Sequence, residues 1–201
     1  KEIKSILVNE LESNPLILLS NSKEVRDKLY GFASDLELRP YYIPLTPIQN
    51  YYFSYFSPDN YEDFCSQNVI IKLNPNISKI KIEKSIQKVI ESLDIFRIRF
   101  QNNNFSIKQL IDINPPSFDS YYKFLPDFDG DISKLFEISD KNISPFKIPF
   151  QFIYAESKSN KFLLISIHHL IVDFLSWRYI LEILNLSYFS KPLKYKLTSF
   201  K

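Results

Sequence analysis

Two periods govern the apolar positions of this chain. Over residues 78–93, Ile82, Ile86, Val89, Ile90 and Leu93 recur at i, i+4, i+7, i+8 and i+11, so Ser78–Leu93 is the clearest predicted helix. Helical spacing also occurs at Lys1–Leu11, with Ile3, Ile6, Leu7 and Leu11. A second short helix follows at Glu24–Leu29, behind a Ser22 cap. Arg39-Pro40 enforces an extended entry to Ile43–Gln49, and Pro47 fits the first turn of a helix carrying Tyr51, Tyr52, Phe53 and Phe56. Strands are expected at Asn68–Leu73, Phe105–Leu110, Phe150–Ala155 and Lys161–Ile167, the last two as a hairpin turning at Glu156–Asn160. Ile95–Phe100 alternates, with Phe96, Ile98 and Phe100 on one face and Arg97 and Arg99 on the other. Asn102-Asn103-Asn104 reads as a turn, Asn114–Gly130 as loop, and Ile132–Ile138 and Leu175–Leu186 as helices. Helices interleaved with strands around one large sheet predict an α/β or α+β fold.

The chain has 201 residues, 25 basic and 23 acidic side chains, and a net charge of +2, so no electrostatic footprint for nucleic acid is expected. No apolar run approaches the ~20 residues a membrane helix needs, and Lys1–Leu18 does not read as a signal peptide. Cys65 is the single cysteine, which excludes an internal disulfide and suits a reducing, cytoplasmic setting. With only Gly31 and Gly130, no glycine-rich phosphate loop is possible. The absence of methionine leads us to expect that Lys1 is not a native start and that the chain is a piece of a longer one.

Both histidines and the one tryptophan fall within ten residues, in His168-His169-Leu170-Ile171-Val172-Asp173-Phe174-Leu175-Ser176-Trp177-Arg178. Neighbouring strand side chains point to opposite faces, so one histidine is available for chemistry and the other for structure. An imidazole suits proton transfer at neutral pH, yet a histidine pair ending a core strand also serves as a hydrogen-bonded structural feature. The residues leave both readings open. Two back-to-back histidines and one distant cysteine do not make a convergent metal set. Asp173 reads as a buried, charge-paired anchor of the turn or as a base, Trp177 as core packing, Arg178 as a surface or salt-bridge residue, and Ser176 as a cap or first-turn residue. The Tyr51–Phe56 stripe reads as core rather than a ligand platform.

The segment His168–Asp173 resembles the HHxxxDG motif of the condensation-domain superfamily of nonribosomal peptide synthetases. Ser176-Trp177-Arg178-Tyr179-Ile180-Leu181 is similar to the SWRIL continuation of epimerization domains within it. In order along the chain, Pro44–Gln49 with Tyr52-Phe53 resembles PLTPIQxWFF, and Gln67–Ile70 is faintly similar to FNQSVLL. Asp94–Phe100 resembles HDxLRxRF, and Lys196–Lys201 resembles KTTSFK. The likeness runs from about Ile43 to Lys201; residues 1–42 read as an extension or linker of unknown role.

This resemblance implies a chloramphenicol-acetyltransferase-like lobe, a mixed sheet flanked by helices, with residues 43–201 forming the N-terminal half of a two-lobed domain. It implies that His169 is catalytic and that Asp173 is structural, paired with an arginine for which Arg97 is the nominee. His168, Ser176, Trp177 and Arg178 support the site. The implied reaction is removal and return of the α-proton of an aminoacyl or peptidyl thioester, converting the L form to the D form. The partner is a peptidyl carrier protein that supplies the phosphopantetheine arm, with no other cofactor and no metal. The second lobe, and an acidic residue it would contribute, are expected outside this sequence, so the piece alone is expected to be inactive. Phe174 stands where the motif has Gly, and Leu93 where it has His. A bulky residue at 174 would strain the turn or fill the channel if the glycine serves a positive φ or close approach. The alternatives are a peptide-bond-forming condensation domain and a degenerate lobe that docks a carrier without catalysis.

Overall fold

A computed structural model describes residues 41–55, 65–103, 106–158 and 160–192. The helices expected at Lys1–Leu11 and Glu24–Leu29, the aromatic Phe56 and the closing Lys196–Lys201 segment lie outside the described residues. The elements are β1 (Tyr41–Ile43), α1 (Pro47–Tyr55), β2 (Ser66–Leu73), α2 (Lys79–Ser92), β3 (Ile98–Asn102), β4 (Ile107–Ile111), α3 (Phe118–Tyr121), β5 (Tyr122–Leu125), α4 (Ile132–Asp140), β6 (Phe150–Glu156), β7 (Lys161–His168) and α5 (Phe174–Tyr188).

Among the described residues the strands form two sheets rather than the one expected. A three-stranded sheet runs β1-β4-β3, and a four-stranded sheet runs β2-β7-β6-β5. The second is mixed: β2 and β6 flank β7 antiparallel, while β5 lies parallel to β6 from Tyr122↔Phe152 to Leu125↔Ala155. Its β2–β7 register runs from Ser66↔His168 to Leu73↔Lys161, so Ser66 shares a face with His168 and Gln67 shares one with Ile167.

The sheet's two faces build two cores. On one, Phe150, Phe152, Tyr154, Leu163, Ile165 and Ile167 meet the stripe of α2 (Ile82, Ile86, Val89, Ile90) and Ile180, Ile183 and Leu184 of α5. Each such side chain, fully withdrawn from water, contributes about 2 kcal/mol. On the other face Ile153, Ala155, Phe162 and Leu164 pack with Leu135 of α4. Helix α2 starts where expected: the Ser78 side chain accepts from the Lys81 amide.

Three local readings change. Asp94–Arg97 is a 3₁₀ turn, because Ile95 and Phe96 are both buried and strict alternation would expose one of them. The stretch 114–130 contains α3 and β5; the four-residue β5 exists by pairing with β6 and by stacking of Tyr122 on Phe118, with ring centroids 4.5 Å apart. In α1, Tyr52 is buried but Tyr51 and Tyr55 stand 63% and 71% exposed, so only part of the aromatic stripe is core.

Candidate functional site

The chain that leaves β7 is held from three sides. The His168 amide donates to the Pro149 carbonyl at 2.7 Å, and the His169 amide donates to the Cys65 carbonyl at 2.6 Å. The third support is Gln49, whose Nε2 donates to the Leu170 carbonyl at 2.8 Å. Gln49 is itself placed by a capping box. Its Oε1 accepts from the Thr46 amide at 2.8 Å, and Thr46 Oγ1 accepts from the Gln49 amide at 3.3 Å. Pro47, at the first helical position, has no amide proton to leave unsatisfied. The Pro44–Gln49 motif thus has a local meaning, a helix start, and a distant one, an anchor for the histidine loop.

The two imidazoles face apart, as the strand geometry requires. His168 is buried, with its ring edge-on to Tyr52 at 5.7 Å. Its Nδ1 accepts from the Leu170 amide at 3.2 Å. Burial, reinforced by the neighbouring His169, pushes its pKa down to about 4, so it is uncharged at neutral pH. A cleft of about 830 Å³ opens on this face, lined by His168 with Cys65, Ser66, Asn68, Asp140 and Ser144 among others. His169 lies on the opposite side and is exposed. Its Nδ1 is 2.9 Å from the Val172 carbonyl, which can only accept; Nδ1 therefore carries the proton and Nε2 the lone pair. The side-chain amide of Gln67 lies 3.2 Å from Nε2 and 3.3 Å from Nδ1 of the same ring. Trp177 Nε1 donates to Gln67 Oε1 at 2.7 Å, while its ring packs against the main core.

The expected role of Asp173 changes. Asp173 is exposed, and its Oδ1 accepts from the Ser176 amide at 2.7 Å and from Ser176 Oγ at 2.6 Å. It is the N-cap of α5, and these bonds hold its carboxyl below the usual carboxylate range. Ser176 sits in the first turn. Arg97 is not the partner of Asp173: it bonds Asp94, three residues earlier, and donates to the Ile113 carbonyl at 3.3 Å. The physical reason is that both carboxylates are satisfied locally, one by a 3₁₀-turn ion pair and the other by the open amides of a helix start. Arg178 is exposed. Phe174, at the first position of α5, is 87% exposed and absent from the positive-φ residues, so neither backbone strain nor a buried plug results.

The site therefore gathers His169, Gln67, Trp177 and the loop from His168 to Asp173, with Gln49 beneath it. Gln49 and Gln67 were legible only as motif letters. The spacing Thr46-x-x-Gln49 carries a capping signal, but the role of Gln67 depends on a strand register that no local pattern reveals.

The fold of this lobe has known counterparts. The family model described as the condensation domain matches residues 41–199. The chain belongs to the condensation-domain family. It is 27% identical over 154 residues to tyrocidine synthase 2 of Brevibacillus parabrevis, covering 73% of this chain and 4% of that protein. It is 23% identical over 162 residues to nonribosomal peptide synthetase 4 of Gibberella zeae, covering 76% of this chain and 2% of that protein. Among solved structures, the epimerization domain from the third module of tyrocidine synthetase B superposes with a TM-score of 0.66 at 22% identity, over 82% of this chain and 40% of that one. The starter condensation domain of rhizomide synthetase does so with a TM-score of 0.53 at 14% identity, over 67% and 34%. The chain thus spans a few per cent of these curated relatives and less than half of these solved domains. The fold is the expected chloramphenicol-acetyltransferase-like lobe.

Proposed function

We propose that this chain is the histidine-bearing lobe of an epimerization domain of a nonribosomal peptide synthetase. The observation that carries the proposal is the His169 ring: exposed, with Nδ1 bonded to Val172 and Nε2 bearing the lone pair. Its substrate would be an aminoacyl or peptidyl thioester on the phosphopantetheine arm of a carrier protein, a group delivered by the partner. The Cα–H bond breaks, its proton passes to Nε2, and its electron pair moves into the thioester carbonyl as an enolate. Return of a proton to the opposite face gives the D form. Donors around the enolate oxygen must hold its charge, and the acid for the second face would come from a companion lobe. His168 and Asp173 act on the structure of the loop, not on the substrate.

Epimerization is favoured over condensation by the Ser176-Trp177-Arg178 continuation, whose tryptophan is built into the histidine's surroundings through Gln67. Fold likeness does not separate the two, because an epimerization domain and a starter condensation domain both superpose. The deciding experiment loads a carrier with an L-amino acid and presents it, in deuterated buffer, to a protein containing this lobe with its companion. Deuterium at Cα, lost on His169→Ala, is the expected result. Dipeptide formation between two loaded carriers without exchange would assign condensation, and neither reaction would leave a carrier-docking lobe.

A further inference from the structure

We infer that the cleft on the His168 face of the lobe is a second binding site, built for a small zwitterion: an α-amino acid with a hydrogen-bonding side chain. Its floor is set by strand register. Ser66 pairs with His168; two residues deeper on the same face Asn68 pairs with Ser166, which pairs in turn with Gln151. The cleft, about 830 Å³, is lined by Ser66, Asn68 and His168 and falls in the size range of small-molecule sites. The His168 ring offers one defined group. Its Nδ1 accepts from the Leu170 amide, so the neutral imidazole carries its proton on Nε2, a donor with no protein partner among the described residues. Behind this floor, Ser166 and Gln151 are buried, and neither the Ser166 hydroxyl nor the Gln151 Oε1 has a partner. Ser139 of α4 shares a helix face with Leu135, which packs on this side of the sheet, and adds a third buried hydroxyl in the same state. Buried polar groups are almost always paired, so these three mark a place where a bound polar group completes the bonding.

The rim carries both signs. Asp140 Oδ1 accepts from Ser66 Oγ at 3.1 Å, which brings the last turn of α4 over this end of the sheet. Asp140 and Glu137 supply two carboxylates to the cleft, and Lys141 and Lys147 two ammonium groups. These charges cancel, so a simple anion or cation meets repulsion along with attraction, whereas a ligand bearing both charges is held at both ends. Its carboxylate meets the lysines and His168 Nε2–H, its ammonium meets Asp140, and a polar side chain extends toward Ser166 and Gln151.

The site lies on the side away from His169 and does not rest on the epimerase reading. Amide proton–nitrogen spectra of the ¹⁵N-labelled chain, titrated with L-glutamine at neutral pH, test it. Saturable shifts are expected at Ser66, Asn68, His168 and residues 140–144. L-Norleucine keeps both charges but not the polar side chain, and should bind several-fold more weakly. Acetate and methylammonium, with one charge each, should give no saturable shift. Asp140→Asn should weaken glutamine about ten-fold, as should Lys141→Gln combined with Lys147→Gln, because each removes a charge-assisted contact. All three side chains are exposed, so these variants keep the fold. His169→Ala should leave the affinity unchanged. The inference is overturned if glutamine gives no saturable shift up to its solubility limit, or if the single-charge probes bind as well. It is equally overturned if norleucine matches glutamine, or if His169→Ala abolishes binding and so moves the ligand to the other side of the loop. The α-hydrogen exchange assay reads a carrier-bound substrate instead: its failure leaves this site standing, and absence of glutamine binding leaves the epimerase reading standing.

Discussion

Gln49 and Leu170, 121 residues apart, meet through one fully buried hydrogen bond of 2.8 Å. Through it the start of α1 governs the loop that carries both histidines. Gln49 uses its other amide atom on the Thr46 amide, so a single side chain closes a helix start and braces the site.

Removing Gln49 should therefore cost more than removing the cap alone. Gln49→Ala leaves a buried carbonyl and an amide without their partners and is expected to cost about 2–3 kcal/mol in urea unfolding. Thr46→Ala, which loses only the cap, should cost about 1 kcal/mol. Amide exchange at Leu170 and Ile171 should accelerate in the first variant and not in the second. Equal effects at both positions would show that the brace is energetically idle.

His168 gives the fold an acid-side weakness. Its pKa is about 4 in the folded chain against an ordinary 6.5, so below pH 6.5 the unfolded state takes up a proton that the folded state refuses. Stability from this group is full above pH 6.5 and declines down to about pH 4. A histidine held near 4 rather than 6.5 makes this loss on the order of 3 kcal/mol. Urea midpoints at pH 7, 6 and 5 should fall accordingly. His168→Asn, whose amide oxygen can accept from Leu170, should flatten that slope even if it lowers stability overall.

Asp173 should behave as a helix cap. Asp173→Asn preserves capping and should be nearly neutral at pH 7, whereas Asp173→Ala should cost about 1 kcal/mol. Because its carboxyl is held below the usual range, its contribution is present above pH 3.8 and lost as acid titrates it, a dependence that Asn should abolish. Substitution of Arg97 should leave the Asp173 behaviour untouched. Coupling between the two in a double-mutant cycle would contradict the local pairing seen for each.

Phe174→Gly tests whether the aromatic in the motif's glycine position is a defect. Phe174 takes a helical position and its side chain is 87% exposed, so glycine relieves no strain there. The expected result is a loss of up to about 1 kcal/mol, from the low helix propensity of glycine. A gain in stability would reveal strain. In a protein with both lobes, activity that appears only after this substitution would mark the lobe as decayed.

What the sequence by itself determined follows from local physics. The stripe of α2 and the β6–β7 hairpin were legible because helix and strand periods are written in neighbouring residues. The opposite orientations of His168 and His169 followed from the same alternation, and the motif order named the family. Tertiary structure alone decided the rest. Strand β5 exists because β6 is there to pair with it, and the two-sheet arrangement depends on contacts far apart in the chain. Asp173 as a cap, Arg97 as a partner of Asp94, and Gln67 between Trp177 and His169 depend on distances across registers and helix starts. A one-residue slip of β2 would turn Gln67 to the opposite face, and no periodicity in its own segment says which register holds. Side-chain type tells what a group can donate or accept; only the packed chain decides which partner comes within reach.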